Sequence, residues 1–549
     1  MIKYVIGIDF GTLSGRTVLV NAETGEEIAE AILKYEHGVM DEALPDGSKL
    51  PPHYALQHPA DYLEILKKTV PEVLDKAGVC PQEVVGLGID FTACTILPVD
   101  AHMMPLCMKP EFANEPHAYV KLWKHHAAQA EADEINTLAE KRQEKWLARY
   151  GGKLSCEFAL PKILEILHKA PDIYAQTTRF IEAADWLSYI LTGEESHSAA
   201  FAGYKACWSE ADGYPSDEFL AALDPRLQGI AGTKLSTEIY SLEQRAGTLK
   251  ESGAALTGLM PGTAVALPMI DAHAAMPALN ITGDGDLMMI IGTSTCHILN
   301  AREGVDVEGI SGYVKDGVIP GVYTYEAGQA GVGDIFDWFV HQGVPASYEA
   351  EAKAQNISIH KLLREKAGRL HPGESGLLAL DWLNGNRSIL SDSKLSGMIL
   401  GMTLQTKPEE MYRAWIEATA YGTRMILEQY EKSGIQIHNI CAAGGIAQKD
   451  EMMMQIYADV LGQEIRVAGS TQAGALGSAI YASVAAGLYD TVVQAAEKLS
   501  KPHSRVYSPN FAHCEIYNAL YREYKILHDY FGRGENEVMH YLSLFRYFT

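Results

Sequence analysis

One short pattern, present twice, constrains this chain more than anything else in it. Near the start, the apolar run Tyr4-Val5-Ile6-Gly7-Ile8 ends on a carboxylate, Asp9, and the turn Gly11-Thr12-Leu13-Ser14-Gly15 leads through Arg16 into Thr17-Val18-Leu19-Val20. About half a chain later, Asp286-Leu287-Met288-Met289-Ile290-Ile291 runs into Gly292-Thr293-Ser294 and returns as Thr295 to Leu299. Each copy reads as strand, tight turn, strand. A single copy carries little information, because Asp and Gly favour any tight turn. Two copies this far apart predict duplicated domains that face each other across a shared ligand. Such turns suit a phosphate, since backbone N–H groups and small hydroxyls can surround an anion. Asp9 repels an anion but can hold Mg²⁺ through water.

The pair predicts an α/β chain of two ribonuclease-H-like domains, of the actin/hexokinase ATPase type, facing across an interdomain cleft. A chain of 549 residues is too long for one core. The composition shifts at Asn280 to Asp286, which sets the expected domains at residues 1–279 and 280–549, the second with a helical tail from Cys514. The formal net charge of −25 argues against nucleic-acid or anionic-membrane partners. A polyphosphate must therefore be met by local devices. No apolar run reaches the roughly 18 residues of a membrane span, and the start carries no secretory signal pattern. Eight cysteines without C-x-x-C or zinc spacing read as mostly buried thiols in a reducing cytoplasm. Neither G-x-x-x-x-G-K-[ST] nor a helix-opening G-x-G-x-x-G occurs.

Along the chain, a helix is expected over Pro59 to Lys76 and a buried strand over Val84 to Asp90, broken at Phe91-Thr92-Ala93-Cys94. Breaks at strand ends are where small ligands are usually held. The pattern from Ala118 to Trp146 reads as one helix, with Trp123-Lys124-His125-His126 near its start. Asp271 follows the short strand Ala264 to Pro268 and precedes a small-residue helix. It reads equally as a general base at the mouth of a cleft or as an N-cap. Lys205 and Glu326 could bind a sugar or phosphate; taken singly, each reads as a solvated surface charge. Gly444-Gly445 could admit an adenine or simply make a tight turn. His125 and His126 read as an exposed pair rather than a metal site, and Met452 to Met454 as core.

Several longer stretches carry a likeness. Asp9-Phe10-Gly11-Thr12-Leu13-Ser14-Gly15-Arg16 is joined by Ala184-Asp185-Trp186-Leu187-Ser188-Tyr189-Ile190-Leu191-Thr192-Gly193, by Gly397 to Met402 followed by Glu410 to Glu417, and by Gly444-Gly445-Ile446-Ala447-Gln448 with Met454 to Gly462. Together these resemble the FGGY carbohydrate kinases over nearly the whole chain. Trp415 departs from the small residue usual in its motif, and Phe91 stands where relatives often carry a polar side chain. Ile291-Gly292-Thr293-Ser294-Thr295-Cys296, Glu326-Ala327-Gly328-Gln329, Asp381 to Arg387 and Trp123-Lys124 with His126 resemble the subgroup that acts on L-ribulose.

The resemblance implies transfer of the ATP γ-phosphate to the terminal hydroxyl of a ketopentose, with ATP and Mg²⁺ as cofactors. Asp271 is implied as catalytic base, and Thr92, Ala93, Trp123, Lys205, Asp271 and Glu326 as sugar contacts. Gly11, Thr12, Ser14, Arg16, Gly292, Thr293, Gly333, Gly444, Gly445 and Gln448 are implied at ATP, with Asp9 holding the metal through water. Xylulose, ribitol or D-ribulose are alternative acceptors, and an actin- or chaperone-like ATPase without sugar transfer is the alternative class. The expected partner is a small sugar, not nucleic acid or membrane, in a cytoplasmic protein whose assembly, a homodimer included, stays open.

Overall fold

A computed structural model describes residues 2–469, 472–501 and 503–545, so residues 1 and 546–549, the outer ends of the two expected domains, lie outside it. The first pattern forms the hairpin Tyr4–Phe10 and Ser14–Asn21, antiparallel with Asp9 opposite Arg16. Val84–Phe91 lies parallel on its other side, Asp9 beside Asp90. Across this seven-stranded sheet the order is Arg245–Thr248, Ala264–Ala266, Val84–Phe91, Tyr4–Phe10, Ser14–Asn21, Glu27–Lys34, with Met269–Ile270 also on Val84–Phe91. The central strands are apolar almost throughout because both faces are covered. One face carries the helix Pro59–Ala77 and the other Ala473–Ala485. That second helix comes from far along the chain, and its approach explains two glycines. A Cβ on Gly7 would stand 1.8 Å from the Ala475 carbonyl oxygen, and one on Gly88 2.1 Å from that of Ser478.

The second pattern forms the hairpin Asp286–Ile291 and Thr295–Ala301, with Asn439–Ala443 parallel beside it. This sheet runs Gly312–Lys315, Tyr323–Gln329, Thr295–Ala301, Asp286–Ile291, Asn439–Ala443, Ile465–Val467, Arg505–Tyr507. Hairpin, then parallel neighbour, then a further parallel strand repeats the order of the first sheet. The helix Pro408–Lys432 buries its apolar side in the second core. Trp415 is buried there against Trp338, ring centroids 6.4 Å apart, so the large residue fills space between helices. Met453 and Met454 are core, and the tail is helical over Phe511–Gly532 and Val538–Ser543. All eight cysteines are free, six of them buried. No helix among the described residues is long and apolar enough to cross a membrane.

A smaller four-stranded sheet, Leu56–Gln57, Val120–Lys121, Ile96–Val99 and Arg179–Glu182, stands beside the first. It corrects the expected helix over 118–146, which is confined to Gln129–Arg142. Residues 120–121 stay extended because they pair with Leu56–Gln57 and Ile96. The charged side chains that follow are pulled inward: Lys121 and His125 are fully buried and meet Glu165 at 2.9 and 2.8 Å. His125 is therefore no exposed pair with His126, which alone reaches the surface. Burial and the Lys121 charge push the His125 imidazole down to about 3, so it is neutral.

Candidate active site

Both turns close on a glycine N–H, the second over one residue fewer than the first. In the first, Gly11 N–H donates to the Ser14 carbonyl at 3.0 Å; in the second, Gly292 N–H donates to that of Ser294 at 2.9 Å. Their supports differ. Thr12 is gripped from the smaller sheet, its carbonyl accepting from Gln57 Nε2 at 2.8 Å and its hydroxyl from Trp123 Nε1 at 3.2 Å. Thr293 is gripped by the start of the helix Gly333–Gln342: Val332 and Asp334 N–H groups donate to its carbonyl, and Gly333 N–H to that of Gly292. A Cβ at Gly333 would come within 2.5 Å of the Gly292 oxygen, so this clamp requires glycine.

Asp9 and Asp90 stand side by side at two strand ends, where the helix Ala473–Ala485 begins. Ser478 Oγ donates to Asp90 Oδ2 at 2.7 Å, while Asp90 Oδ1 is buried without a partner. Burial pushes both carboxyls up; for Asp90 the adjacent Asp9 charge adds to it, whereas Arg16 works the other way on Asp9. Two close carboxylates facing one helix N-terminus form a site that a cation would relieve. Among the described residues no group of three or more His, Cys, Asp or Glu converges as a metal cage. The donor set fits Mg²⁺ held by one or two carboxylates with water and phosphate oxygens completing its shell. Arg16 is half-buried beside Asp9, its Nε without a partner.

Asp271 opens the helix Asp271–Ala278 at the end of Met269–Ile270. The cap reading does not hold, because Ile270 occupies the cap position and Asp271 is the first helical residue, its Oδ1 accepting from the next N–H, that of Ala272, at 2.7 Å. The carboxyl is pushed up to about 7, first by burial and then by the Asp9 charge, with Glu326 adding and Lys205 opposing. A carboxyl titrating near neutrality is poised to take a proton.

Lys205 and Glu326 are not solvated charges. They meet at 2.9 Å across 121 residues of sequence, 9% and 15% exposed, and His273 Nε2 lies 3.2 Å from the other Glu326 oxygen. Burial alone would raise Glu326, but Lys205 and His273 outweigh it and hold the carboxyl well below its usual range. The Glu326 charge likewise raises Lys205 against its burial. His273 was not a sequence candidate; its place two residues after Asp271 was the available signal. Thr92 N–H donates to the Phe10 carbonyl at 3.3 Å and its hydroxyl meets that of Thr95 at 2.8 Å, which ties the strand break to the first turn. Ala93 is half-exposed there. Phe91 points the other way, stacked on Phe10 at 5.1 Å in the core.

The return strand of the second hairpin pairs with the strand that carries Glu326, Ile298 opposite Glu326 and Cys296 opposite Gly328. At the hairpin's far side Gly444 has φ +96, and a Cβ there would lie 2.4 Å from the Ile291 oxygen. Gly445 faces open space, and Gln448 follows one turn later on the short helix Gly445–Lys449.

Residues 4–276 match the N-terminal and 287–486 the C-terminal domain model of the FGGY family of carbohydrate kinases. The chain is 53% identical over 542 residues to "Ribulokinase" of Geobacillus thermodenitrificans, covering 98% of this chain and 96% of that one. It is 52% identical over 551 residues to that of Shouchella clausii, covering 100% and 98%. In fold it is similar to the xylulose kinase of Rhodospirillum rubrum, with TM-score 0.79, 22% identity and 96% and 98% coverage. With matches in both halves and relatives of this identity along its length, the chain belongs to the FGGY family of carbohydrate kinases.

Proposed function

We propose that the chain transfers the γ-phosphoryl group of MgATP to the terminal hydroxyl of L-ribulose, giving L-ribulose 5-phosphate for L-arabinose breakdown. The observation that carries this choice of sugar is the identity above one half to ribulokinases over nearly the full chain. Residues 1–279 form the sugar and phosphate side and residues 280–549 the nucleotide side. Asp271 accepts the hydroxyl proton as the sugar oxygen attacks. Lys205 and Glu326, held against each other and His273, orient the sugar hydroxyls by charge-assisted hydrogen bonds, between Thr92-Ala93 and Trp123. The turns at Gly11-Thr12 and Gly292-Thr293, the second braced by Gly333, grip the phosphates together with Ser14 and Arg16, while Gly444, Gly445 and Gln448 receive the nucleoside. Asp9 holds Mg²⁺ through water, and that ion, when bound, neutralises charge on the phosphate oxygens.

The test is a coupled ADP-release assay over L-ribulose, D-ribulose, the xyluloses, ribitol, glycerol and a hexose. Pentuloses that differ at one hydroxyl keep most partners, so L-ribulose should give the highest kcat/KM with the others graded below it. Glycerol should be poor. A higher kcat/KM for glycerol or the hexose would overturn the assignment.

A further inference from the structure

We infer that Lys162 is a positioning residue for the pentulose: from inside the protein it fixes the two chain segments that wall the sugar side of the cleft. The inference rests on the sugar site proposed above. Lys162 lies on the helix Ala159–Lys169 and is wholly buried. Its ammonium donates to the carbonyl oxygens of Cys94, of Leu122 at 2.9 Å and, at a longer 3.5 Å, of Lys121. Three donors are thus met by three backbone acceptors drawn from two segments.

No carboxylate among the described residues comes within ion-pair distance of this ammonium. Glu165, one turn along the helix, is already matched by Lys121, His125 and Lys169. Glu182 acts on Lys162 only through its charge, and its Oε2 accepts Thr95 N–H at 2.8 Å. An ammonium buried this way is unfavourable compared with an apolar side chain of similar size, unless the bonds it makes are needed. What those bonds hold is the reason. Cys94 adopts φ +55, a conformation that a residue with a Cβ keeps only when its surroundings impose it. With its carbonyl drawn inward, Thr92 and Ala93 are left at the cleft, where Thr92 is bonded to the Phe10 carbonyl. With the Leu122 carbonyl drawn inward, the next residue, Trp123, reaches Thr12 of the first phosphate turn. One buried cation therefore sets both sugar walls relative to each other and to that turn.

The experiment compares Lys162→Met and Lys162→Gln with wild type in steady-state kinetics, using whichever pentulose or polyol the wild type phosphorylates best. Lys162→Met should raise KM for the sugar about tenfold or more, while KM for ATP moves less than about threefold. Lys162→Gln keeps two N–H donors and should recover part of that loss. If Lys162→Met does not fold, the glutamine variant carries the test through the same split between the two KM values. A sugar KM within about twofold of wild type in both variants would overturn the inference. So would equal rises in both KM values. A wild type inactive on L-ribulose but active on another polyol overturns the sugar assignment alone, and the ratio of variant to wild type still reads on Lys162.

Discussion

The two Gly-Thr hairpins share their place in a sheet, each with a parallel strand beside it, and differ in nearly everything charged around them. Beside the first, the strand end Asp9 is in register with Asp90, Arg16 lies opposite, and Asp271 feels the Asp9 charge. In the second, the equivalent pairing is Ile290 with Ala443, and the neighbouring strand runs out into Gly444 and Gly445. A duplicated fold thus supplies two related Gly-Thr turns, which the proposed function makes anion cradles, and side chains decide what each turn can do. Where carboxylates crowd, a cation and a proton acceptor can work; where glycine replaces them, backbone lies open to a flat, uncharged group. The consequence is that damage on the two sides should fall on different kinetic constants.

The largest effect belongs to the acidic side. Asp271→Asn should lower kcat by roughly 10²–10⁴-fold, the usual contribution of a general base, with sugar binding retained by calorimetry. A general base acts as its carboxylate. With the pKa of Asp271 pushed up to about 7, kcat/KM should fall about tenfold per pH unit below that value and level off above it. A fully folded Asp271→Asn enzyme with near-normal turnover would leave Asp271 as the first residue of its helix and nothing more.

The hairpins, the strand before Asp271 and the helix from Pro59 could be read directly, because strand and helix periodicities are local. What the sequence concealed was every charge whose meaning depends on a distant partner. Lys205 and Glu326, taken singly, are surface residues by composition; only the fold, which brings 121 residues of separation to 2.9 Å, makes them a pair. The same holds for Lys121, His125 and Glu165, all buried and mutually compensated. Their inward pull also explains why the helix expected from Ala118 begins only at Gln129. The glycines at 7, 86 and 88 carry no periodic signal. Their cause is a helix far along the chain, whose backbone at Ala475, Ala482 and Ser478 lies against Gly7, Gly86 and Gly88 respectively.

The pair that spans the two halves offers an intermediate effect with a sign. Lys205→Ala and Glu326→Gln should each cost roughly 5- to 150-fold in kcat/KM for the pentulose, equivalent to about 1–3 kcal/mol for a buried polar group left unpaired. Their acid limbs should then move apart. The Glu326 charge raises Asp271, so Glu326→Gln shifts the limb to lower pH; Lys205 lowers Asp271, so Lys205→Ala shifts it higher. Shifts in one direction for both variants would mean that the pair does not act on Asp271 through its charges.

The smallest effect separates two adjacent glycines on the open side. At Gly444 the backbone is left-handed and a Cβ would press on the Ile291 oxygen at 2.4 Å. Gly444→Ala should therefore lower Tm, by the equivalent of about 1–3 kcal/mol, and raise KM for ATP along with it. At Gly445 nothing lies within 4 Å of a Cβ and the residue opens a helix. Removing chain freedom there stabilises a fold by about 0.4–1 kcal/mol, so Gly445→Ala should leave Tm unchanged or slightly higher. What it does to ATP then distinguishes the two readings of this turn. If the nucleoside lies against the Gly445 backbone, the added methyl group occupies that surface, and KM for ATP should rise severalfold in a protein no less stable. If the two glycines serve only to turn the strand into the helix, KM for ATP should stay at the wild-type value, and the open side of the cleft would have to place its nucleoside elsewhere.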